Sequence, residues 1–352
     1  MINNIVKNIK TPSRKYLHLA KSRSGKLLMP PMAMGRMHEI SERLCSIYES
    51  LKPEIRNSAV FVMAGDHGVV EEGVSAFPQD VTRMMFNAFL NDQATVCILA
   101  KHENTKVILS DIGSKFDTSN ISQFKNEFVS KKIVNGTKNF TKEPAMTRDE
   151  AIKCIQTGAE ITLNYIKKLN LDIVITGEMG IGNTTPSAAI GTVVTNSTVE
   201  EMIGKGTGLS EEGVLRKTEA IKKAISLNNP DLNNPIDILS KVGGAEIGAI
   251  AGTILAAALS KIPVIVDGFI STAAALIAYK LNPDVKEYIF AGHCSEEPGH
   301  KKMLEFLQSE PVLNLNMRLG EGTGAVLALN ILKQAANMIS NVPTFEEAGI
   351  IL

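Results

Sequence analysis

The sequence predicts an α/β protein built on a parallel sheet of about six strands, and three observations carry that expectation. Six short apolar runs each end in glycine beside a polar residue, and segments of helical length separate the runs. The composition is that of a globular chain: 44% of the 352 residues are hydrophobic, with 27 Gly and 14 Pro. At about 150 residues per domain this length suggests roughly two units, or one large α/β domain with an appendage.

Taken in order, Met37, Ile40, Leu44, Ile47 and Leu51 recur at spacings of three and four, the stripe of an amphipathic helix ahead of the first strand. The first apolar run, 60–64, leads to Gly65-Asp66-His67, and the second, 107–109, to Asp111-Ile112-Gly113. Thr147 and Glu150 then form a capping-box pair, and Ile152, Ile155, Ala159, Leu163 and Ile166 continue one apolar helical face. The run 173–176 leads to Gly177-Glu178. Ser210 with Glu211 and Glu212 opens another helix, because a hydroxyl cap and early acids complement the positive end of the helix dipole; Lys217 rides on its second turn. The segment 247–259, bounded by Glu246 and Lys261, falls short of the roughly 20 residues that span a bilayer and reads as a buried Ala/Gly-rich helix. Runs 264–266, 288–291 and 312–319 lead to Asp267-Gly268, Gly292-His293 and Gly320-Glu321, and 326–336 is helical. In parallel sheets ligands bind outside the carboxyl ends of the strands, so these six ends are expected to gather polar groups on one crevice.

Charge and composition narrow the function. With 37 Lys+Arg against 37 Asp+Glu there is no basic footprint for nucleic acid or anionic lipid. Aromatics are 5% and Trp is absent, which argues against stacking platforms for single strands. Cys45, Cys97, Cys154 and Cys294 are far apart and form no zinc-type spacing, so a reducing cytoplasm is expected. The first residues carry no apolar h-region, so no signal peptide is expected. His18, His38, His67, His102, His293 and His300 show no paired ligand spacing, and no metal is expected.

Two glycine-rich turns bear on chemistry. Gly177-Glu178-Met179-Gly180-Ile181-Gly182-Asn183-Thr184 has P-loop spacing, but Asn183 stands where the lysine for β- and γ-phosphates belongs. What remains is a turn between strand and helix that can present backbone N–H groups to a single phosphate, or a tight turn with no ligand. Gly320-Glu321-Gly322-Thr323-Gly324-Ala325 fits the GxGxxA dinucleotide spacing, which raises an NAD-dependent oxidoreductase as an alternative. Too little chain follows Ala325 for the rest of a nucleotide-binding half, and a carboxylate there would repel a pyrophosphate. Glu321 reads better as a working base on a stiff turn, the competing reading being a solvated loop acid. Asp66 and His67 are expected to fix the loop 68–78 by hydrogen bonds. Phe77, Met84, Met85 and Phe89 form an apolar patch that either joins the core or walls a pocket for a flat aromatic ligand, and the residues alone leave both open.

Taken together, Gly65-Asp66-His67-Gly68-Val69 with Glu72-Gly73-Val74-Ser75, the turn from Gly177 through Thr184-Thr185, Lys241-Val242-Gly243-Gly244, Asp267-Gly268-Phe269 and Met317-Arg318-Leu319-Gly320-Glu321-Gly322 resemble the nicotinate-nucleotide:dimethylbenzimidazole phosphoribosyltransferases of cobamide assembly. The ordered match runs from about Lys26 to Ala325. The resemblance implies a Rossmann-like parallel sheet in a large α/β catalytic domain, 56–325, with a small helical domain made of 1–55 and 326–352. It also implies transfer of phosphoribose from nicotinate mononucleotide to an aromatic base, giving an α-riboside 5'-phosphate and nicotinate, without a cofactor.

On the matching positions the resemblance implies Glu321 as the base and Glu178 as a second, assisting carboxylate. It implies phosphate and ribose contacts from Gly180, Gly182, Asn183, Thr184, Lys217 and Ser295, and an acceptor pocket of Phe77, Met85, Met179 and Leu319. Those walls are apolar and adaptable, so a broad acceptor range is expected, reaching from dimethylbenzimidazole to phenol or p-cresol. Phe77 stands where many relatives have Tyr. Two segments depart from the family pattern: Met29-Pro30-Pro31-Met32-Ala33-Met34-Gly35-Arg36, and Asp92-Gln93-Ala94-Thr95. The family implies a dimer, and these departures raise a heterodimer with a paralogue beside the homodimer. A non-catalytic or co-catalytic subunit is the alternative role, against which the presence of both Glu321 and Glu178 speaks.

Overall fold

A computed structural model describes residues 2–119, 121, 124–204, 208 and 210–350. Its centre is a six-stranded, wholly parallel sheet of β1 (Ser58–Gly65), β2 (Lys106–Gly113), β3 (Glu127–Ser130), β4 (Ile173–Met179), β5 (Val264–Val266) and β6 (Ile289–Ala291), in the order β3-β2-β1-β4-β5-β6. The order reverses between β1 and β4, the switch point at which such sheets open a crevice. Every residue of β1 and β4 is buried, because helices cover both faces of the sheet, and this explains their unbroken apolar reading.

The run 312–319, expected as a strand of the main sheet, is corrected by the structure: it contributes β8 (Leu313–Met317), which pairs only with β7 (His293–Ser295) in a separate two-stranded sheet. Leu-Asn-Leu-Asn-Met alternates apolar and polar residues, with Leu315 58% exposed, and a strand buried on both faces has no room for those asparagines. The sixth strand of the main sheet is β3 instead, a half-exposed edge strand paired to β2.

Helix starts follow local chemistry. Thr147 and Glu150 close a capping box on the helix Arg148–Leu169, and Ser210 caps Glu211–Asn228 by accepting from the Gly213 N–H. Helix Arg36–Tyr48 buries Ile40, Leu44 and Ile47, and packs against Arg14–Ser24 and the final helix, Thr323–Asn341. Both chain ends meet there: Leu28 N donates to Pro343 O at 2.8 Å, Phe345 N to Lys26 O at 3.1 Å, and Arg23 pairs with Glu347 at 2.8 Å. The first helix, Ile2–Asn8, lies against Arg148–Leu169 and Ala245–Leu259 on the sheet side. Among the described residues no helix is long and apolar enough to cross a membrane.

The Ala245–Leu259 helix is buried along nearly its whole length and crosses Arg148–Leu169 at backbone contact. A Cβ at Gly158 would collide with the Ala249 carbonyl, and one at Gly252 with the Ile155 carbonyl. Backbone cannot yield as a side-chain tip can, so Gly252→Ala should cost about 1–3 kcal/mol of stability or more. Chemical denaturation of the variant beside the native chain measures this, and an unchanged midpoint would show that the helices can part freely.

Candidate active site

At the carboxyl ends of the strands lies a cavity of about 280 Å³. Ten of the residues singled out from sequence line it: Phe77, Met85, Glu178, Met179, Gly180, Asn183, Thr184, Ser295, Leu319 and Glu321. Gly182 and Lys217 stand just behind this wall. Gly182 adopts φ 88°, the left-handed region that lets the turn close, and a Cβ there would press on Val70. Lys217, fully buried, donates from Nζ to Thr184 Oγ1 at 2.8 Å at the start of the helix Thr184–Thr195. Burial pulls its ammonium down to about 8, opposed by the nearby charge of Glu297. A buried cation beside a glycine turn and a helix N-terminus makes this end of the cavity receptive to an anion.

The same cavity gathers carboxyl groups. Glu178 ends β4, and its Oε1 accepts from the Glu321 N–H at 3.2 Å while its Oε2 accepts from Asn183 Nδ2. The asparagine in the P-loop lysine's place therefore serves this carboxyl. Burial raises Glu178 to about 8, and it raises Glu321 as well. Glu321 sits at φ 65° between Gly320 at 88° and Gly322 at 96°, three left-handed residues in succession. Its Oε2 receives a long contact from Val96 N at 3.5 Å, leaving the carboxyl facing the cavity. Gly177 must be glycine, because a Cβ would collide with the Glu321 carbonyl.

Asp267 follows β5 and organises that turn, as its Oδ2 accepts from Gly322 N at 3.1 Å and its Oδ1 from Ala325 N at 2.9 Å. Its carboxyl is raised by burial, against the opposing effect of His293, whose Nε2 is 3.8 Å from Oδ1. Asp267, His293, Glu297 and Arg318 line the cavity but were not among the sequence candidates. Their signal was present for Asp267 and His293 as polar residues at strand ends. His300 lies behind Ser295, accepting from its N–H at 2.8 Å, and burial draws it down to about 3, so it is neutral.

Asp66 holds loops as expected, the His67 ring forms no hydrogen bond to the loop 68–78, and neither residue lines the cavity. Asp66 accepts from Gln79 Nε2 at 2.7 Å and from Lys115 N at 2.8 Å, while His67 Nε2 lies 2.9 Å from Glu246 Oε1 in a sealed contact under Gly180. The apolar patch divides: Phe89 is core, Met84 points outward, and Phe77 and Met85 wall the cavity.

Comparisons with known proteins agree with this geometry. A family model described as "Phosphoribosyltransferase" matches residues 9–350. A nicotinate-nucleotide–dimethylbenzimidazole phosphoribosyltransferase of Geotalea uraniireducens is 45% identical over 331 residues, 94% of this chain and 93% of that one. One of the same name from Desulforudis audaxviator is 43% identical over 351 residues, 99% of this chain and 98% of its own. The crystal structure of such an enzyme from Thermus thermophilus superposes with a TM-score of 0.90 at 37% identity, over 97% of this chain and 99% of that one. The protein is thus a pentosyltransferase. Within that class, the chain belongs to the nicotinate-nucleotide–dimethylbenzimidazole phosphoribosyltransferase family.

The raised Glu178 carries a pH consequence. Between pH 4.5 and about 8 the unfolded chain ionises this group while the folded chain keeps it protonated. Folded protein then binds more protons, and stability falls as pH rises through that window. Gln at this position cannot titrate, so the melting temperature of Glu178→Gln relative to the native chain should climb from pH 5 to about 8, without substrate. Parallel melting curves across the window would overturn a protonated Glu178.

Proposed function

We propose that this chain transfers phosphoribose from nicotinate mononucleotide to an aromatic base, releasing nicotinate and an α-riboside 5'-phosphate for a cobamide lower ligand. One observation carries the reading: Glu321 faces the same cavity that is lined by Thr184, whose hydroxyl is held by the buried Lys217 in a setting receptive to a single phosphate.

The chemistry follows from the substrate. The nicotinate nitrogen is already cationic in the nucleotide and departs with the bonding pair, so the leaving group needs no acid. The demand falls on the incoming ring, whose azole N–H or phenol O–H must lose its proton. Glu321 takes it as the ring attacks the anomeric carbon from the face opposite nicotinate, and in-line displacement turns β into α. Burial raises Glu321 toward the range in which a carboxylate is an effective base. Glu178 assists by fixing the Glu321 backbone. Positive charge developing on the ribose is favoured electrostatically by those of the buried carboxyl groups that are ionised, Glu321 as the base among them.

The acceptor wall of Phe77, Met85, Met179 and Leu319 is apolar, and Phe77 and Leu319 are 46% and 50% exposed. Such a wall selects flat apolar rings without requiring one pattern of hydrogen bonds. A mass-spectrometric assay with nicotinate mononucleotide should therefore yield product with dimethylbenzimidazole and with phenol. Glu321→Ala should lose about a hundredfold or more with both. Turnover of benzimidazoles alone would sink the broad range, and an active alanine variant would remove Glu321 as the base.

We infer further that 1–55 and 326–352 act as a unit that pairs with a second chain, identical or paralogous. Leu28, Met32 and Met34 are 38%, 53% and 50% exposed, beside a hollow of about 870 Å³ lined by Met29, Pro30, Phe345 and Ile350. The four cysteines are free and buried, which fits a cytoplasmic enzyme. Analytical ultracentrifugation of the purified chain should give a dimer with full activity, or an inactive species that a paralogue restores. A fully active monomer would remove the pairing.

A further inference from the structure

Among the described residues, Glu297 is the one cavity-lining carboxylate left unused by the transfer chemistry. It is 6% exposed, and its Oε2, sealed from solvent, finds no hydrogen-bond partner among those residues. A buried carboxylate oxygen without a donor is costly, so its presence on the wall of a substrate cleft calls for a donor from the substrate.

Its position excludes the ordinary uses of such a group. Glu297 occupies the N-cap position of the helix Pro298–Leu307, yet its side chain caps nothing, and the backbone alone serves that turn through His300 N to Glu297 O at 2.9 Å. It favours the charge of Lys217 from a distance but forms no ion pair with it among the described residues. The described residues contain no cluster of metal ligands. Gly204 packs against the carboxylate, since a Cβ there would lie 2.5 Å from Oε2, yet gives it no hydrogen bond. Glu297 N donates to Ser295 Oγ at 3.3 Å, which joins the carboxylate to a wall shared with the cavity.

Resting on the phosphoribosyl reading above, we propose that Glu297 accepts the vicinal 2'- and 3'-hydroxyls of the donor's ribose and so makes the enzyme selective for ribonucleotides. With phosphate at Thr184 and Lys217 and the anomeric carbon at Glu321, the ribose spans the middle of the cavity. An anionic group is unsuited to the phosphate itself, whereas two carboxylate oxygens match two adjacent hydroxyls, as acidic residues do for the ribose of dinucleotides. Sites built to pair a substrate hydroxyl reject the analogue lacking it far more strongly than apolar pockets discriminate by size.

The test compares nicotinate mononucleotide with its 2'-deoxy analogue in the native chain, Glu297→Gln and Glu297→Asp. The native chain should lose about a hundredfold or more in kcat/KM on the analogue. Glu297→Gln should lose heavily on the parent and little further on the analogue, so that discrimination collapses by about tenfold or more. Equal use of both nucleotides by the native chain, or equal losses on both in the variant, would overturn the proposal. Glu297→Asp, which keeps the charge but withdraws it by one methylene, supplies the same comparison if Gln prevents folding. Calorimetry with ribose 5-phosphate and 2-deoxyribose 5-phosphate reads the contact without any transfer. Preference for ribose phosphate that vanishes in Glu297→Gln supports it, and no preference overturns it. A native chain that forms no riboside phosphate yet binds with this preference would fail the transferase reading alone.

Discussion

Everything at the carboxyl end of the site depends on Asp267. The helix Thr323–Asn341 begins at Gly322, which has no side chain with which to cap it, and its first N–H groups are met from across the sheet by a carboxylate at the end of β5. A cap of this kind contributes about 1 kcal/mol, and burial adds to the cost of removing it. The left-handed conformation of Glu321 costs roughly 1–2 kcal/mol, so the turn stands only while something over-determines it. Asp267 grips Gly322, Glu178 grips the Glu321 N–H, and Gly177 lets the chain pass close to β4. The Glu321 carboxyl is therefore aimed by three strand-end contacts rather than by its own side-chain partners.

The electrostatics have the same economy. Burial pushes Glu178, Glu321 and Asp267 upward and pulls Lys217 downward, so both ends of the cavity resist their own charged forms. On the function proposed above, a phosphorylated nucleotide with a cationic ring would supply the missing counter-charges, its phosphate favouring the Lys217 ammonium and its ring the ionised carboxylates.

Much of this was legible in the sequence, and the misses have physical causes. Gly-Glu-Gly at 320–322 and the glycines flanking Glu178 signalled turns that need left-handed or close-packed backbone, and such needs are local. The strand β3 was not legible, since Glu-Phe-Val-Ser at a sheet edge is buried on neither face and lacks a long apolar run. The run 312–319 misled because Leu313 and Leu315 look strand-like, while its asparagines suit the half-exposed two-stranded sheet with β7 that continues from the end of β6, where Val312 N donates to Ala291 O at 2.8 Å. Asp267 appeared in sequence as a polar strand end and within a motif of the family resemblance but with no role, because its role lies in donors 55 and 58 residues away. Glu297 was invisible for a stricter reason: an unpaired oxygen is a property of the folded surroundings and not of any motif.

The two halves of the cavity discriminate by different physics. Lys217, Thr184, Glu178, Asn183 and the Glu321 backbone are buried polar groups with fixed partners, where loss of one hydrogen bond leaves another group unsatisfied. In the apolar wall Phe77 and Leu319 are exposed and Met85 is partly buried, and such side chains re-form their contacts around a new ring at small cost. Changes at Phe77, Met85 or Leu319 can therefore alter which ring is accepted without touching the hydrogen bonds that aim Glu321, since none of the three contributes a side-chain partner to them. On the proposed function, a fold arranged in this way would hold the donor and the reaction constant while leaving the acceptor free to vary.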